Sequence, residues 1–190
     1  MLTEEPEDII ELDIKIDSSI NLDSLNWIQY NPRKDIKRWG CSITSLNGND
    51  NGIPDLDSLL EFNRLNNTNF GERDFKTLTK HAGPFTTFLS NFQCGRSHYL
   101  KLGSGGFFPW HRDNDFSCFR IIYTVNGCNP NNLVWIEGDK PLHLEDHRWY
   151  YINTKKKHCL FAFGTAILAV FNVVKSNDNV SKLFKSARIK

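Results

Sequence analysis

The sequence predicts a mainly β fold with flanking helices, of the antiparallel sandwich or jelly-roll type. Downstream of Gly95, short segments rich in β-branched and aromatic residues are separated by clusters of Gly, Asn, Asp or Lys. No helical period lies between them, which argues against the parallel sheet of a nucleotide-binding α/β fold. An aromatic content of 13% favours sheet in the same way. The predicted strands are 97–102, 118–125, 132–136, 148–153, 158–163 and 165–174.

Composition limits the classes of protein to which the chain can belong. Its 190 residues suit a single domain, and a formal net charge of +1 does not indicate a nucleic-acid partner. Five cysteines occur singly, without a C-x-x-C pair, so we expect reduced thiols and a cytoplasmic protein. No apolar run is long enough to cross a bilayer, so we expect no membrane partner. The sequence leaves the oligomeric state open.

The single domain divides into three parts by composition. Residues 1–95 are expected to form an N-terminal strand and helical elaboration packed on the core, and residues 96–174 the β core itself. Residues 175–190 form a basic C-terminal tail. The start of the chain is acidic and its end basic, and we expect two solvated ends that attract one another.

The first part mixes one strand with three predicted helices. Apolar and charged residues alternate over 10–16, which predicts a half-buried strand. Asp55 can cap a helix that carries Leu56, Leu59, Leu60 and Phe62. A second helix is expected over 72–80. Pro84 opens a third helix, whose apolar stripe is predicted to pack on the outside of the sheet and comprises Phe85, Phe88, Leu89 and Phe92.

The candidate chemistry begins at an extended His-x-Asp pair, His111 and Asp113. Upstream glycines and Pro109 disfavour helix, and in an extended chain residues i and i+2 project to the same side. One imidazole and one carboxylate on neighbouring vectors form two corners of the facial triad of non-haem iron enzymes. Such a site needs a third ligand from elsewhere in the chain.

His158 is the preferred third ligand. It opens a predicted strand after a strong preceding strand and a polar turn, a position from which a side chain can lean into the mouth of a sandwich. His143 and His147 are the competitors, but both lie in a charged segment typical of a surface loop. Phe107, Phe108, Trp110 and Phe116 surround the His-x-Asp pair and could line the substrate side, although core packing explains them equally well.

Three blocks of sequence resemble the iron(II)/2-oxoglutarate-dependent oxygenases, in particular the aspartyl/asparaginyl β-hydroxylase-like or prolyl-hydroxylase-like branch. The blocks are the glycine-rich approach to Pro109-Trp-His111-Arg-Asp113, then Phe119-Arg-Ile-Ile122, then Trp149-Tyr-Tyr-Ile-Asn-Thr154 followed by His158. The resemblance covers about residues 96–174. It implies a double-stranded β-helix, the cupin-like form of the jelly roll, with iron(II) bound by the two His and the Asp. It also implies a dioxygenase, a hydroxylase that uses O2 and couples decarboxylation of 2-oxoglutarate to oxidation of a substrate.

One feature departs from that family. Its members commonly carry an Arg about ten residues beyond the distal His, and residues 165–172 contain no cation. Arg120 is the expected replacement, because a guanidinium in so apolar a strand needs a partner and fits a dicarboxylate in bidentate geometry. A buried acid is the alternative partner. Tyr123 and Asn126 of the same strand complete the expected cosubstrate-binding set, and Arg112 and Arg148 are weaker candidates.

Two other classes of function stay open. A cupin-like metalloenzyme that uses iron, zinc or manganese without 2-oxoglutarate fits the missing distal Arg, and a jelly-roll binding protein without catalysis fits the fold. For an enzyme we expect a small-molecule or peptide substrate, which the sequence does not name.

Overall fold

The computed structural model describes residues 6, 9–29, 36–50, 59–113 and 117–188 of the chain. Within these residues the protein consists mainly of β-strands, accompanied by three α-helices and short 3-10 turns. The helices are α1 (Leu59–Asn66), α2 (Thr86–Asn91) and α3 (Asn177–Ser186). The strands are β1 (Ile10–Leu12), β2 (Ile28–Gln29), β3 (Arg38–Ser42), β4 (Thr44–Ser45), β5 (Thr77–Leu78), β6 (Cys94–Leu102), β7 (Phe107–His111), β8 (Cys118–Asn126), β9 (Leu133–Glu137), β10 (Lys140–Leu142), β11 (Trp149–Ile152), β12 (His158–Ala162) and β13 (Ala166–Val174).

Two antiparallel sheets enclose the centre of the molecule. The large sheet has seven strands in the order β1-β11-β8-β13-β6-β3-β2, and the small sheet has four in the order β10-β9-β12-β7. From β6 to β13 the chain contributes four strands to each sheet and winds back and forth between them. This winding is that of a double-stranded β-helix, or jelly roll, so the predicted fold class is confirmed. The N-terminal strands β1, β2 and β3 extend the large sheet at both edges.

Alternation along the strands divides the apolar side chains between two cores. On β8, Ile122 lies in the inner core between the sheets, whereas Ile121 and Tyr123 lie in the outer core on the opposite face of the large sheet. Arg120 has the parity of Ile122 and therefore faces the inner side. The inner core includes Leu100, Leu102, Ile122, Leu133, Trp135, Leu144, Tyr150, Ile152, Leu160 and Leu168. The outer core includes Phe85, Phe88, Phe92, Tyr99, Phe119, Ile121, Tyr123, Trp149, Tyr151 and Phe171.

The predicted aromatic stripe of the third helix covers the large sheet. Phe85, Phe88 and Phe92 are all buried in the outer core, and Leu89 packs against it. The Phe88 ring stacks on Trp149 with centroids 4.6 Å apart. The placement of this helix outside the sheet is confirmed, and burial of these aromatic rings explains why so short a helix is stable.

The other two predicted helices differ from expectation. Asp55 and Leu56 fall outside the described residues, and α1 buries none of its side chains, so its apolar residues are not core; Leu60 is 83% exposed. The helix predicted over 72–80 is wrong. That segment has one 3-10 turn, Glu72–Asp74, and then β5, which pairs with β4. The pairing of β5 with β4 prevents the backbone from continuing as a helix.

The C-terminal part is a helix rather than a tail. The Ser176 hydroxyl accepts a hydrogen bond from the Asn179 N–H at 3.1 Å and caps α3, whose Val180 and Leu183 lie in the outer core. Beyond α3, Arg188 pairs with Glu11, so the basic end does meet the acidic start. No helix among the described residues has both the length and the apolar character needed to cross a membrane.

All six predicted strands are present with ends shifted by a few residues, while two strands of the small sheet were not among them. These two, β7 and β10, each contain a proline and are five and three residues long, which weakens the strand pattern. At the N-terminus only Ile10–Leu12 of the predicted strand 10–16 pairs, with β11. Beyond it, Asp13 hydrogen-bonds to the end of α3 instead.

Candidate metal centre

Strand β7 delivers the first two candidate ligands. His111 is its last residue, and Asp113 follows two positions later, just beyond the end of the strand. Both side chains project to the same side, with His111 Nε2 at 3.9 Å from Asp113 Oδ1. The Asp113 backbone N–H donates to the Thr154 carbonyl at 3.0 Å, which fixes the carboxylate end of the pair.

His158, the first residue of β12, completes the group. The register of β12 on β7 places it directly opposite His111, and the two imidazole centroids are 4.2 Å apart. One ligand atom from each of His111, Asp113 and His158 lies within 4.8 Å of the other two. The structure therefore brings together all three of the residues named as ligands.

The hydrogen bonds of the two imidazoles engage Nδ1 and leave Nε2 of each ring available to bind a metal. His111 Nδ1 lies 2.7 Å from the Pro109 carbonyl, and His158 Nδ1 lies 3.0 Å from the Lys156 carbonyl. A carbonyl only accepts, so in the neutral form of each ring Nδ1 carries the proton and Nε2 keeps its lone pair. Orientation of ligating imidazoles by backbone carbonyls is the usual support of a metal site. Two nitrogen donors and one carboxylate suit iron(II) and related divalent ions.

The charge states of the ligands also suit a cation. Burial raises the pKa of Asp113, but the Arg120 charge and the Thr154 hydroxyl bond outweigh it, so the pKa lies below its ordinary value. Burial lowers the pKa of His158 and keeps its imidazole neutral. A carboxylate and a neutral imidazole are the forms that bind metals.

Aromatic rings flank the two imidazoles. Phe108 stacks on His111 with centroids 5.9 Å apart, and Trp135 stacks on His158 at the same distance. Trp110 is 46% exposed, and Phe116 lies outside the described residues. The group thus has apolar walls on the inner side.

Arg120 lies beside the metal-ligand group. Its Nε donates to Asp113 Oδ2 at 2.9 Å, and its Nη1 donates to Asn172 Oδ1. Of the two alternatives for its partner, the structure shows a protein acid, the half-buried Asp113. The Arg120 Nη2 group hydrogen-bonds to none of the described residues, so its two N–H donors are left for a ligand.

The structure does not bring Tyr123 and Asn126 to the site. Tyr123 has the opposite parity to Arg120 and lies in the outer core against Trp149, at a centroid distance of 5.1 Å. Asn126 is exposed at the far end of β8, about 20 Å along the strand from Arg120. The structure therefore corrects their assignment to a cosubstrate site: Tyr123 lies on the opposite face of β8, and Asn126 lies too far along the strand.

The remaining histidines lie apart from the ligand group. His143 and His147 are exposed, and His81 bonds to Asp50 at 2.8 Å. His98 is the exception, because it lies on β6 with its side chain on the inner side. Its buried Nδ1 has no hydrogen-bond partner among the described residues.

His98 predicts a specific loss of stability in acid. Burial and the charges of Arg96 and Arg120 lower its pKa from 6.5 to about 3. The unfolded chain takes up a proton as pH falls through about 6.5, while the folded protein does not until about 3, so stability falls with pH across that window. At pH 5 the free energy of unfolding is therefore lower by about 2 kcal/mol than at neutral pH.

Replacing His98 by leucine should remove that pH dependence. Urea unfolding of the metal-free protein between pH 7 and 5 should show a shallower slope for H98L than for wild type. The exposed His143→Leu serves as the control and should leave the slope unchanged. Equal slopes for H98L and wild type would show that His98 is protonated in the folded state.

Sequence reasoning missed three further residues that the structure connects to the site. Asn172 receives the Arg120 hydrogen bond, and Glu72 and Arg96 lie behind it. Asn172 is a polar residue in the apolar strand β13, so the parity argument applied to Arg120 could have found it. No comparable signal marked Glu72, which lay inside a predicted helix.

Comparison with known proteins gives partial structural likenesses. No family model matches the chain, and no curated protein matches it in sequence. A conserved protein of unknown function from Streptococcus pyogenes is 13% identical over 44% of this chain and 65% of that one, with a TM-score of 0.35. A cupin superfamily protein from Desulfitobacterium hafniense is 10% identical over 42% and 66%, with a TM-score of 0.35. A predicted oxalate decarboxylase from Thermotoga maritima is 16% identical over 47% and 74%, also at 0.35.

These likenesses leave much of each chain unmatched. The chain spans 65% and 66% of the first two proteins. The assignment of the jelly roll follows from the strand order given above.

Proposed function

We propose that the chain is an iron(II)- and 2-oxoglutarate-dependent dioxygenase, a hydroxylase acting on a small-molecule or peptide substrate. The observation that carries the proposal is the convergence of two imidazoles and one carboxylate, His111, His158 and Asp113, within 4.8 Å. Three protein ligands of this kind leave coordination positions open for a cosubstrate and O2. Iron(II) bound there would supply the oxygen chemistry that couples decarboxylation of 2-oxoglutarate to oxidation of the substrate.

The chain's own residues would hold and orient the reactants. The carbonyls of Pro109 and Lys156 fix the two imidazoles, and Arg120 keeps Asp113 ionised. The Arg120 Nη2 N–H donors support binding of a carboxylate of 2-oxoglutarate next to the metal ligands. Phe108 and Trp135 would exclude water from the inner side of the site.

Anaerobic titration tests the cosubstrate directly. Adding iron(II) and then 2-oxoglutarate should produce a weak visible metal-to-ligand charge-transfer band, and admission of O2 should release succinate. The reference is the same titration with succinate in place of 2-oxoglutarate, which lacks the keto acid and should give no band. Absence of both the band and succinate formation would exclude use of 2-oxoglutarate.

A cupin-like metalloenzyme that does not use 2-oxoglutarate is the second candidate. It is favoured by one observation: β13 presents no cation, and Arg120 is already bonded to Asp113 and Asn172. Stoichiometric metal binding without the charge-transfer band would support this candidate. Absence of metal binding would instead favour a jelly-roll binding protein without catalysis.

A further inference from the structure

A continuous chain of charged and amide groups leads from the metal-ligand group across the large sheet. Asp113 accepts from Arg120, which donates in turn to the Asn172 side-chain oxygen. The Asn172 side-chain nitrogen donates to Glu72 Oε2. Arg96 completes the series with a bidentate ion pair: its Nε and Nη2 donate to the two carboxylate oxygens of Glu72 at 2.9 and 2.8 Å.

Each hydrogen bond in this series allows only one assignment of donor and acceptor. A guanidinium only donates and a carboxylate only accepts. Asn172 must therefore turn its oxygen towards Arg120 and its nitrogen towards Glu72. Rotating the amide by half a turn would break both bonds, so Glu72 and Arg120 together fix the orientation of the Asn172 amide.

The fold fixes Glu72 in place rather than leaving it on a mobile surface. Its side chain is 7% exposed, and Asn172 is 1% exposed. The 3-10 turn that carries Glu72 approaches β6 at Gly95, where a Cβ would lie 2.3 Å from the Glu72 carbonyl oxygen. Glycine is required for this close contact. The bidentate bond to Arg96 then locks the carboxylate of Glu72.

The register of β13 on β8 connects Glu72 to the metal-ligand group. Asn172 on β13 pairs directly with Arg120 on β8. Arg120 therefore has two fixed contacts, Asp113 on one side and Asn172 on the other. Because Arg side chains carry high rotamer entropy, loss of the second contact would free the guanidinium to move away from Asp113.

We propose that Glu72 is a positioning residue for the metal centre, acting through Asn172 and Arg120 on the Asp113 carboxylate. The inference rests on the proposed metal site. It assigns a role to the region before residue 96, because Glu72, the last acceptor in this series of hydrogen bonds, belongs to that region and not to the jelly roll itself.

The test uses cobalt(II) as a spectroscopic probe on the full chain. Glu72→Gln retains the size of the side chain but loses the charge that anchors Arg96 and Asn172. Supporting residues of this kind typically change metal affinity by about 10- to 100-fold, so E72Q should bind cobalt(II) about tenfold more weakly, with an altered ligand-field spectrum. Asp74→Asn is the matched control, because Asp74 lies on the same turn and its side chain hydrogen-bonds, among the described residues, only to the Gly71 N–H, at 2.7 Å.

A double-mutant cycle separates positioning from general stability. Asn172→Leu breaks the same chain at its middle, so E72Q should cause no further loss of cobalt(II) affinity in the N172L background. Urea unfolding of each metal-free variant records stability separately. If E72Q lowered stability but bound cobalt(II) as tightly as wild type, or if the two affinity losses were additive, the proposal would be overturned.

Two further outcomes are distinguishable. If E72Q does not fold, N172L alone carries the test, because it should show the tenfold loss and the spectral change, and unchanged binding would refute the chain. If wild type itself binds no cobalt(II), the proposed function fails and this inference fails with it.

Discussion

Replacing His158 by alanine is expected to abolish metal binding. The residue supplies one of two imidazole donors, and its neighbour across the sheet, His111, cannot replace it. Loss of a ligand should exceed the roughly 10- to 100-fold effect of supporting residues, so iron(II) affinity should fall by at least about a hundredfold. Competition of the anaerobic protein against a coloured chelator measures that affinity.

Two other histidines serve as matched controls for this substitution. His143→Ala and His147→Ala remove imidazoles from the neighbouring charged segment, where both side chains are exposed. Both variants should bind iron(II) as wild type does. Loss of binding in either, with retention in His158→Ala, would mean that the ligand group has been assigned to the wrong histidine.

Arg120→Ala is expected to weaken binding of 2-oxoglutarate most strongly. It removes the donor left for the carboxylate and also the ion pair that keeps Asp113 ionised. A fully buried pair broken on one side costs about 3–5 kcal/mol, and since Asp113 is 23% exposed the expected loss of stability is nearer 2 kcal/mol. At saturating iron(II), the 2-oxoglutarate concentration needed for the charge-transfer band should rise by about a hundredfold, equivalent to about 2.7 kcal/mol.

The neighbouring Arg112 gives the control for charge alone. It lies between His111 and Asp113 but is exposed. Arg112→Ala should leave both iron(II) and 2-oxoglutarate binding close to those of wild type. Arg120→Lys should recover stability in part but not cosubstrate affinity, because an ammonium lacks the planar fork of a guanidinium. Unchanged 2-oxoglutarate binding in Arg120→Ala would assign Arg120 a purely structural role.

The jelly roll could be predicted because its strands carry strong local signals. Segments such as Cys118–Asn126 are apolar on both faces and bounded by turn residues, so burial and strand propensity agree. The two missed strands of the small sheet contain prolines, and their pairing depends on neighbours far away in sequence. Tertiary pairing, not propensity, decides such short elements.

The ligand residues were accessible to sequence reasoning for a geometric reason. Extended backbone places His111 and Asp113 on one side, and a strand start after a polar turn marks His158. The partner of Arg120 could not be predicted in the same way, because a cation in an apolar strand can pair with either a bound ligand or a protein carboxylate. Only the folded structure shows that Asp113 takes this role.

The series of hydrogen bonds that runs from Arg120 through Asn172 to Glu72 was the part of the site least predictable from the sequence. Glu72 reaches Asn172 across one hundred positions of sequence, and no periodicity relates the two. Their contact depends on the close approach of a 3-10 turn to β6 at Gly95. Long-range polar contacts of this kind follow from the topology once formed.

Anomalous scattering from crystals grown with iron(II) under anaerobic conditions tests the central claim most directly. The proposed centre predicts one iron peak per chain, bonded to Nε2 of His111, Nε2 of His158 and the carboxylate of Asp113. A peak elsewhere, or ordered protein with those three side chains and no iron between them, would contradict it.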